Sequence, residues 1–240
     1  MHHERAPITR RAAAESLGTG LLLFAIVGSG IAADRLSSDL ALTLTVNAIA
    51  TGLALAAAIV AVGPISGAHL TPAVTISVAM ERGLPWADVP IYVAAQIAGA
   101  AAGVIGANLV FELPAVAISE TVRIGPALWL SEFVATFGQL AVIWGSVRLH
   151  AGATVAAAVG AYVTAAIWFT SSTAFANPAV TVARVLTDTF TGIAPPDTVA
   201  FVLAQLAGAV GATLAFRWLV PALPRFADEA VVPHDHLRGP

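Results

Sequence analysis

The charged side chains of this chain are spaced so widely that they leave six long apolar stretches. Of its 240 residues, 58% are hydrophobic and 10% are charged, whereas a soluble domain carries about 25% charged residues. Four of the stretches are close to the 20 or so residues that one membrane-spanning helix needs. They are residues 12–33, 89–111, 124–147 and 199–216. The chain is therefore predicted to be an integral membrane protein.

The other two stretches, residues 40–80 and 149–183, are too long for one helix and too short for two helices joined by a turn. In the first, Gly63-Pro64 predicts the end of a span, and Thr71-Pro72 predicts the start of a shorter helix. In the second, Asn177-Pro178 predicts the same kind of start. Each stretch is therefore interpreted as a span followed by a re-entrant half-helix.

The two short elements repeat one another, which indicates an internal duplication. Thr71-Pro-Ala-Val-Thr75 corresponds to Asn177-Pro-Ala-Val-Thr181, and Glu15 and Glu132 lie at matching places in the first helix of each half. Three spans and one half-helix occur twice, and because three is odd the second copy enters the membrane from the opposite side. The predicted fold class is all-α integral membrane, with six transmembrane helices plus two re-entrant half-helices in inverted repeats.

The order of elements predicts two tails around two repeats. The predicted bounds are 1–11 for the N-terminal tail, 12–111 for the first repeat with its half-helix at 71–81, 112–126 for an extracellular loop, 127–220 for the second repeat with its half-helix at 178–188, and 221–240 for the C-terminal tail. With both tails on one side, that side holds eight arginines and the other holds three. The excess of basic residues predicts that both termini are cytoplasmic. The predicted location is the inner (plasma) membrane.

Composition and motifs argue against several other functions. The chain has no cysteine, which excludes disulfides and thiolate chemistry. It shows no metal-ligand cluster, nucleophile elbow or phosphate-cradling loop, so an enzyme is disfavoured and no cofactor is expected. It has no basic stripe with interleaved aromatics, so no nucleic-acid partner is expected. Membrane lipids and small neutral solutes remain as predicted partners.

The starts of the two half-helices are predicted to meet near the middle of the bilayer. Thr71 and Asn177 are good N-cap residues, and a proline follows each at the first helical position. Each start would present about half a positive charge, which repels cations. The non-helical residues before them, 66–70 and 173–176, are tolerable at this depth only if they are buried in protein or line a wet cavity. The pattern favours a pore whose walls include backbone carbonyls.

The two motifs resemble the paired signatures of the aquaporin (major intrinsic protein) family. Thr71-Pro72-Ala73 is similar to the first signature with threonine in place of its usual asparagine, and Asn177-Pro178-Ala179 is similar to the second. The resemblance covers residues 12–220. It implies a right-handed six-helix bundle assembled as a homotetramer, with one passive pore in each subunit.

The same resemblance implies roles for three polar residues in the predicted intramembrane segments. His69 would line the cytoplasmic half of the pore, with a purely structural role as the alternative. Glu15 and Glu132 resemble the glutamates that hold the two re-entrant loops. The alternative for these two carboxylates is a proton relay, because ionisable groups inside a membrane are costly and often functional.

Four positions correspond by spacing to the selectivity filter of the family. They are Thr51, Ala165, Ala174 and Val180. In water-selective members this ring carries an aromatic residue and nearly always an arginine at the position of Val180. A ring of threonine, alanine, alanine and valine is wider and more apolar and lacks the guanidinium, so strict water selectivity is not expected.

Arg184 lies one turn beyond Val180 on the same face of the predicted half-helix. One hypothesis is that it supplies a displaced cation in the outer vestibule and attracts anionic solutes there. The alternative is a local ion pair between Arg184 and Asp188.

The cargo is predicted from resemblance. The string from Ala176 to Arg184 is similar to bacterial family members found in arsenic-resistance loci, which implies efflux of arsenite or methylated arsenicals. A general water or glycerol channel is the first alternative. The second, from another class, is a proton-coupled secondary transporter that uses Glu15 and Glu132.

Overall fold

The computed structural model describes residues 6–146, 152–225 and 227. Within them it contains eight α-helices: α1 Ile8–Leu36, α2 Leu40–Ser66, α3 Pro72–Met80, α4 Val89–Val110, α5 Pro126–Ser146, α6 Gly152–Phe169, α7 Pro178–Ala183 and α8 Thr198–Leu219. Arg5, Arg148 and Arg238, which contribute to the predicted orientation, lie outside the described residues, as does most of the C-terminal tail.

Six of these helices are long and apolar enough to cross a membrane, and the two short ones are α3 and α7. The helices α1, α2 and α4 with the half-helix α3 form the first repeat, and α5, α6 and α8 with α7 form the second. The predicted fold class is confirmed.

The second helix runs past the point where the sequence predicts its end. Asp39 caps its start by accepting hydrogen bonds from the backbone N–H groups of Ala41 and Leu42. Pro64 then lies inside the helix, which ends only at Ser66. Gly67 adopts a left-handed conformation with φ of 88° and donates its N–H to the carbonyl of Gly63 at 2.8 Å. The prediction that Gly63-Pro64 ends the span is wrong, because the glycine three residues later supplies the helix cap.

The second half-helix is shorter than the predicted range 178–188. Its α-helical part ends at Ala183, and a 3-10 turn covers Arg184–Leu186. The segment 112–126 lies over this end, with Ala117 N–H donating to the carbonyl of Leu186 at 3.0 Å and Ser119 N–H to that of Val185 at 2.9 Å. These hydrogen bonds satisfy carbonyls that a longer helix would have used internally.

The first and third spans of each repeat approach closely because glycine stands at the contact. A Cβ atom at Gly99 of α4 would collide with the carbonyl oxygen of Ser16 in α1, and one at Gly208 of α8 would collide with that of Phe133 in α5. Small residues permit such backbone contact. This close packing holds the helices together within a membrane, because lipid provides no hydrophobic driving force between them. The repeats are joined by packing of α2 against α6.

The outer surface of the bundle is apolar. Leu17 is 60% exposed, Leu53 67% and Leu203 63%, each on a spanning helix. Since lipid tails are as apolar as leucine, this surface suits a bilayer and not water. The polar groups described below lie inside the bundle.

Candidate functional site: two re-entrant loops around a central cavity

The carboxylate of Glu15 holds the loop between α2 and α3. It accepts hydrogen bonds from the backbone N–H groups of His69 at 2.9 Å and Leu70 at 2.7 Å, and from the Ser66 hydroxyl at 2.7 Å. The Gln96 amide donates to the same carboxylate at 2.8 Å. Glu15 is fully buried and does not line the cavity. The arrangement is that of a structural brace, since a carboxylate that accepts several N–H and O–H donors is thereby satisfied.

Glu132 repeats this arrangement in the second half. It accepts from the N–H groups of Phe175 at 3.0 Å and Ala176 at 2.9 Å, and from the Gln205 amide at 2.6 Å. Gln205 also donates to Thr181 at 2.8 Å, as Gln96 donates to the corresponding threonine of α3, Thr75, at 2.9 Å. Each glutamate thus ties a span, a loop and a half-helix together.

The braced loops share a strained backbone. In the first loop Gly67, Ala68 and Leu70 have positive φ, and in the second Thr173, Ala174 and Ala176 do, at the same relative positions. Left-handed backbone is unfavourable for residues with a Cβ atom and persists only where its surroundings hold it. The left-handed residues keep these segments from forming helix, so their peptide groups stay available at membrane depth.

The two half-helices begin side by side in the middle of the bundle. Thr71 caps α3 by accepting from Ala73 N–H at 3.3 Å, and Asn177 caps α7 by accepting from Ala179 N–H at 2.9 Å and Val180 N–H at 3.3 Å. The Asn177 amide also donates to the carbonyl of Leu70 at 2.8 Å, which joins the two loops. No bond from Thr71 back to the second loop occurs among the described residues, because a threonine hydroxyl is shorter than an amide and has one hydrogen.

A central cavity lies along these loops and is lined from both repeats. The first half contributes His69, Leu70 and Thr71, and the second contributes Ala174 to Asn177 and Val180. Thr51 of α2 also lines it. Pro72, Ala73, Pro178 and Ala179 are buried in packed protein beside the cavity and do not reach it.

Ala165 is exposed on the outer face of α6 and does not line the cavity. Instead Val163 and Ile167, which lie four residues apart on the inner face, contribute to the wall. The prediction of Ala165 is wrong because counting twelve residues back from Asn177 does not determine the rotation of a helix that turns about 100° per residue. An error of two residues places the side chain on the opposite face.

Two polar cavity residues were missed by sequence reasoning. Asn47 of α2 donates to the carbonyl of Ile26 at 2.7 Å, and Gln139 of α5 has a buried carbonyl oxygen without a partner among the described residues. Gln139 follows Glu132 by seven residues, as cavity-lining Leu22 follows Glu15. The duplication therefore contained the signal, since matching positions of the first spans face the same cavity.

His69 packs within the first loop and against the wall of the cavity. Its Nδ1 lies 3.2 Å from the Thr75 hydroxyl oxygen, and its ring centroid is 5.2 Å from that of Tyr92. The histidine is 8% exposed. The sequence left a pore-lining role and a structural role as alternatives, and a bonded, buried ring with an edge on the cavity fits both.

Arg184 also reaches the cavity, although the filter predicted from spacing contains no arginine. It is 5% exposed and lines the cavity together with Val180. Asp188 accepts instead from the backbone N–H of Glu120 at 3.1 Å, and within the described ranges no ion pair joins it to Arg184. The predicted alternative of an Arg184–Asp188 pair is therefore wrong, since the carboxylate turns toward the 112–126 segment.

Comparison with known proteins agrees with this architecture. Residues 2–148 match the family described as major intrinsic protein. Aquaglyceroporin AqpS of Rhizobium meliloti (strain 1021) is 53% identical over 218 residues, which are 90% of this chain and 93% of that protein. The chain belongs to the major intrinsic protein family. Its members are membrane channels and not enzymes, and the chain is a multi-pass membrane protein of this channel family.

Two further proteins are similar to the chain in part of the sequence or in fold. Aquaporin NIP6-1 of Arabidopsis thaliana is 37% identical over 139 residues, 56% of this chain and 44% of that protein. The X-ray structure of the aquaglyceroporin from Plasmodium falciparum superposes with a TM-score of 0.71 at 21% identity, over 90% of this chain and 99% of that one. At that identity the likeness shows the shared fold.

Proposed function

We propose that the chain forms a passive pore for small uncharged hydroxylated solutes, with arsenite or methylated arsenicals as the favoured cargo. The observation that carries the proposal is the meeting of two half-helix starts beside a cavity lined from both repeats. Asn177 bonds to Leu70 across the two loops, and both residues line that cavity. A solute passing there would find amide, hydroxyl and carbonyl groups that can replace its hydration.

The size and chemistry of the cavity wall support polyol-like cargo. Val180 stands where the family resemblance places an arginine, and Ala174 presents one methyl group. The side chains in this part of the wall are therefore small and apolar. Arsenite at neutral pH is a neutral trihydroxide similar in size to glycerol, and a chain without cysteine offers no thiol to bind it. The likeness to arsenic-locus channels favours the same cargo, with glycerol and water as further permeants.

The resemblance predicts the oligomeric state of the pore, and the distribution of arginines predicts its orientation. We expect a homotetramer in the inner membrane with one pore per subunit and both termini cytoplasmic, because the arginine-rich ends of the spans then face the cytoplasm. Native mass spectrometry of the detergent-solubilised protein measures the subunit number. Protease protection of tags on the two termini tests the orientation.

The test of function is solute flux into proteoliposomes. Water and glycerol entry is measured by stopped-flow light scattering, and arsenite entry is measured by arsenic analysis. The parent protein is expected to raise glycerol and arsenite entry well above that of empty liposomes. Entry no faster than in empty liposomes would overturn the proposal.

The substitution Val180→Arg sharpens this test. An arginine at this point adds bulk and charge to the cavity wall, so glycerol and arsenite entry should fall about tenfold while water entry persists. Val180→Leu is the matched control, because it adds volume without charge or hydrogen-bond donors. Equal effects of the two variants would show that bulk alone limits the passage.

A further inference from the structure

The side chain of Arg184 is held in one place at the outer end of the cavity. It follows α7 directly, and its Nε donates to the carbonyl oxygen of Thr191. Its guanidinium carbon lies 3.4 Å from the ring centroid of Phe175, a cation–π contact. A long flexible side chain is thereby fixed at two points.

Phe175 is itself fixed and holds a second arginine. Its backbone N–H is bonded to Glu132 at 3.0 Å, and its ring meets that of Phe201 edge to face at 5.3 Å. The guanidinium of Arg123 lies 5.0 Å from the same ring centroid and donates to the carbonyl of Gly192 at 2.7 Å. The Phe175 ring therefore contacts both arginines, of which Arg184 lines the cavity and Arg123 does not.

Most of the hydrogen-bonding capacity of Arg184 remains unused by the protein. A guanidinium has five N–H donors, and within the described part of the chain only the one on Nε finds an acceptor. The two terminal nitrogens have no protein partner among these residues, and they are not fully enclosed by protein. Since the residue lines the cavity, these donors face the space through which a solute would move.

Arg184 is also the one charged side chain among the described residues that line the cavity. Val180, one turn earlier on the same face, holds the place where the family resemblance puts an arginine. Glu132 is buried behind the second loop, and its oxygens are occupied by backbone and glutamine donors. The positive charge at the outer end of the cavity is thus not paired with a carboxylate there.

We propose that Arg184 is a specificity-determining residue of the pore, whose guanidinium enters the filter from one turn beyond the usual position. It offers N–H donors to the oxygens of neutral hydroxylated solutes and repels cations in the outer half. Because the guanidinium is stacked on Phe175, it lies to one side of the passage and leaves space beside Val180. The pore then combines a wide filter with exclusion of cations. This inference rests on the proposed function as a solute pore.

The test compares a neutral and a cationic solute of similar size in the same proteoliposomes. Glycerol entry is followed by light scattering, and methylammonium entry by isotope uptake. The parent should pass glycerol and exclude methylammonium. Arg184→Leu should raise methylammonium entry about tenfold or more, because a unit charge a few ångströms from the path is removed. Arg184→Lys should keep methylammonium out, since the charge remains.

Arg35 provides the matched control. It also donates to a backbone carbonyl, that of Phe111, and lies over a phenylalanine ring at 5.4 Å, but it is outside the cavity. Arg35→Leu should leave both fluxes unchanged. A double variant, Arg184→Leu with Val180→Arg, should exclude methylammonium again, because the guanidinium then reaches the filter from the usual position.

The outcomes separate this inference from the proposed function. If Arg184→Leu passes glycerol but still excludes methylammonium, the assignment of Arg184 is overturned while the pore stands. If Arg184→Leu is inactive and melts at a lower temperature, the lysine and double variants decide: methylammonium entry through either one above that of the parent overturns the inference. If the parent itself passes no glycerol, the proposed function fails first.

Discussion

The two re-entrant loops have the same scaffold and different cavity surfaces. Glu15 and Glu132 brace them with equivalent bonds, and the left-handed residues recur at equivalent positions. Yet His69 in the first loop corresponds to Phe175 in the second. His69 packs on Tyr92 at 5.2 Å, whereas Phe175 packs on Phe201 at 5.3 Å and carries two arginines.

The difference shows which features a duplicated pore must keep. A strained, non-helical segment inside a membrane needs its N–H groups satisfied in both halves, so the brace cannot vary. The side chains that line the cavity do not have to satisfy these N–H groups. They differ between the two loops, which gives the cavity two chemically distinct ends.

The largest expected effect comes from removing either brace. Glu15→Ala and Glu132→Ala should each strand two backbone N–H groups at about 1–3 kcal/mol apiece, and both variants should melt far below the parent in detergent. Exposed Glu112 is the control, because Glu112→Ala breaks no such network. A variant as stable as the parent would show that its loop does not depend on the glutamate.

A second contrast concerns the far ends of the half-helices. Buried Glu81, after α3, pairs with Arg217 of α8 at 2.7 Å, whereas Thr187, after α7, donates to Asn108 of α4 at 2.8 Å. Arg217→Ala leaves the buried carboxylate of Glu81 unpaired. Because Arg217 is about half exposed, solvent weakens this ion pair, and the expected loss of stability is about 1–3 kcal/mol.

Thr187→Ala is the neutral counterpart in the other repeat. It should cost about 1 kcal/mol, since it removes one ordinary hydrogen bond. Thermal melting of the two variants and of Arg217→Lys measures the contrast. Equal losses for Arg217→Ala and Thr187→Ala would show that the ionic character of the first link is immaterial.

The caps of the half-helices offer a smaller effect of opposite sign. Thr71→Asn keeps a good N-cap and gives the first loop an amide that can bond across to the second, as Asn177 does to Leu70. It should stabilise the protein by about 1 kcal/mol, and Asn177→Thr should destabilise it by a similar amount. If both substitutions destabilise equally, the two caps are not interchangeable.

The smallest expected effect is at the aromatic position of the first loop. His69→Phe makes this position resemble that of Phe175 and removes the contact with Thr75 at 3.2 Å. The stability should change by about 1 kcal/mol or less, while water entry into proteoliposomes should fall a few-fold because a polar group leaves the wall. Unchanged water entry would show that His69 serves packing alone.

The residues that sequence reasoning located best are those with a local or repeated signature. A cap residue before proline determines where a half-helix starts, and the recurrence of the motif identifies the second copy. Glu15 and Glu132 stood out because a carboxylate inside an apolar stretch requires partners. The wall residues Val163 and Ile167 escaped because nothing in an alanine-rich helix marks its rotation, and Ala165 was chosen in their place.

The chain alone therefore determined the number of spans, the duplication and the two half-helix starts, since these follow from hydropathy, capping and repetition along the sequence. Only the tertiary structure decided which faces surround the cavity and where Arg184 points. That outcome depends on the Phe175 ring, on the Thr191 carbonyl and on Glu132, which accepts the Phe175 N–H, and these groups come together only when the bundle has packed. Contacts between distant residues leave no periodic trace, so spacing placed Arg184 one turn beyond Val180 but left open whether it faces the cavity or pairs with Asp188.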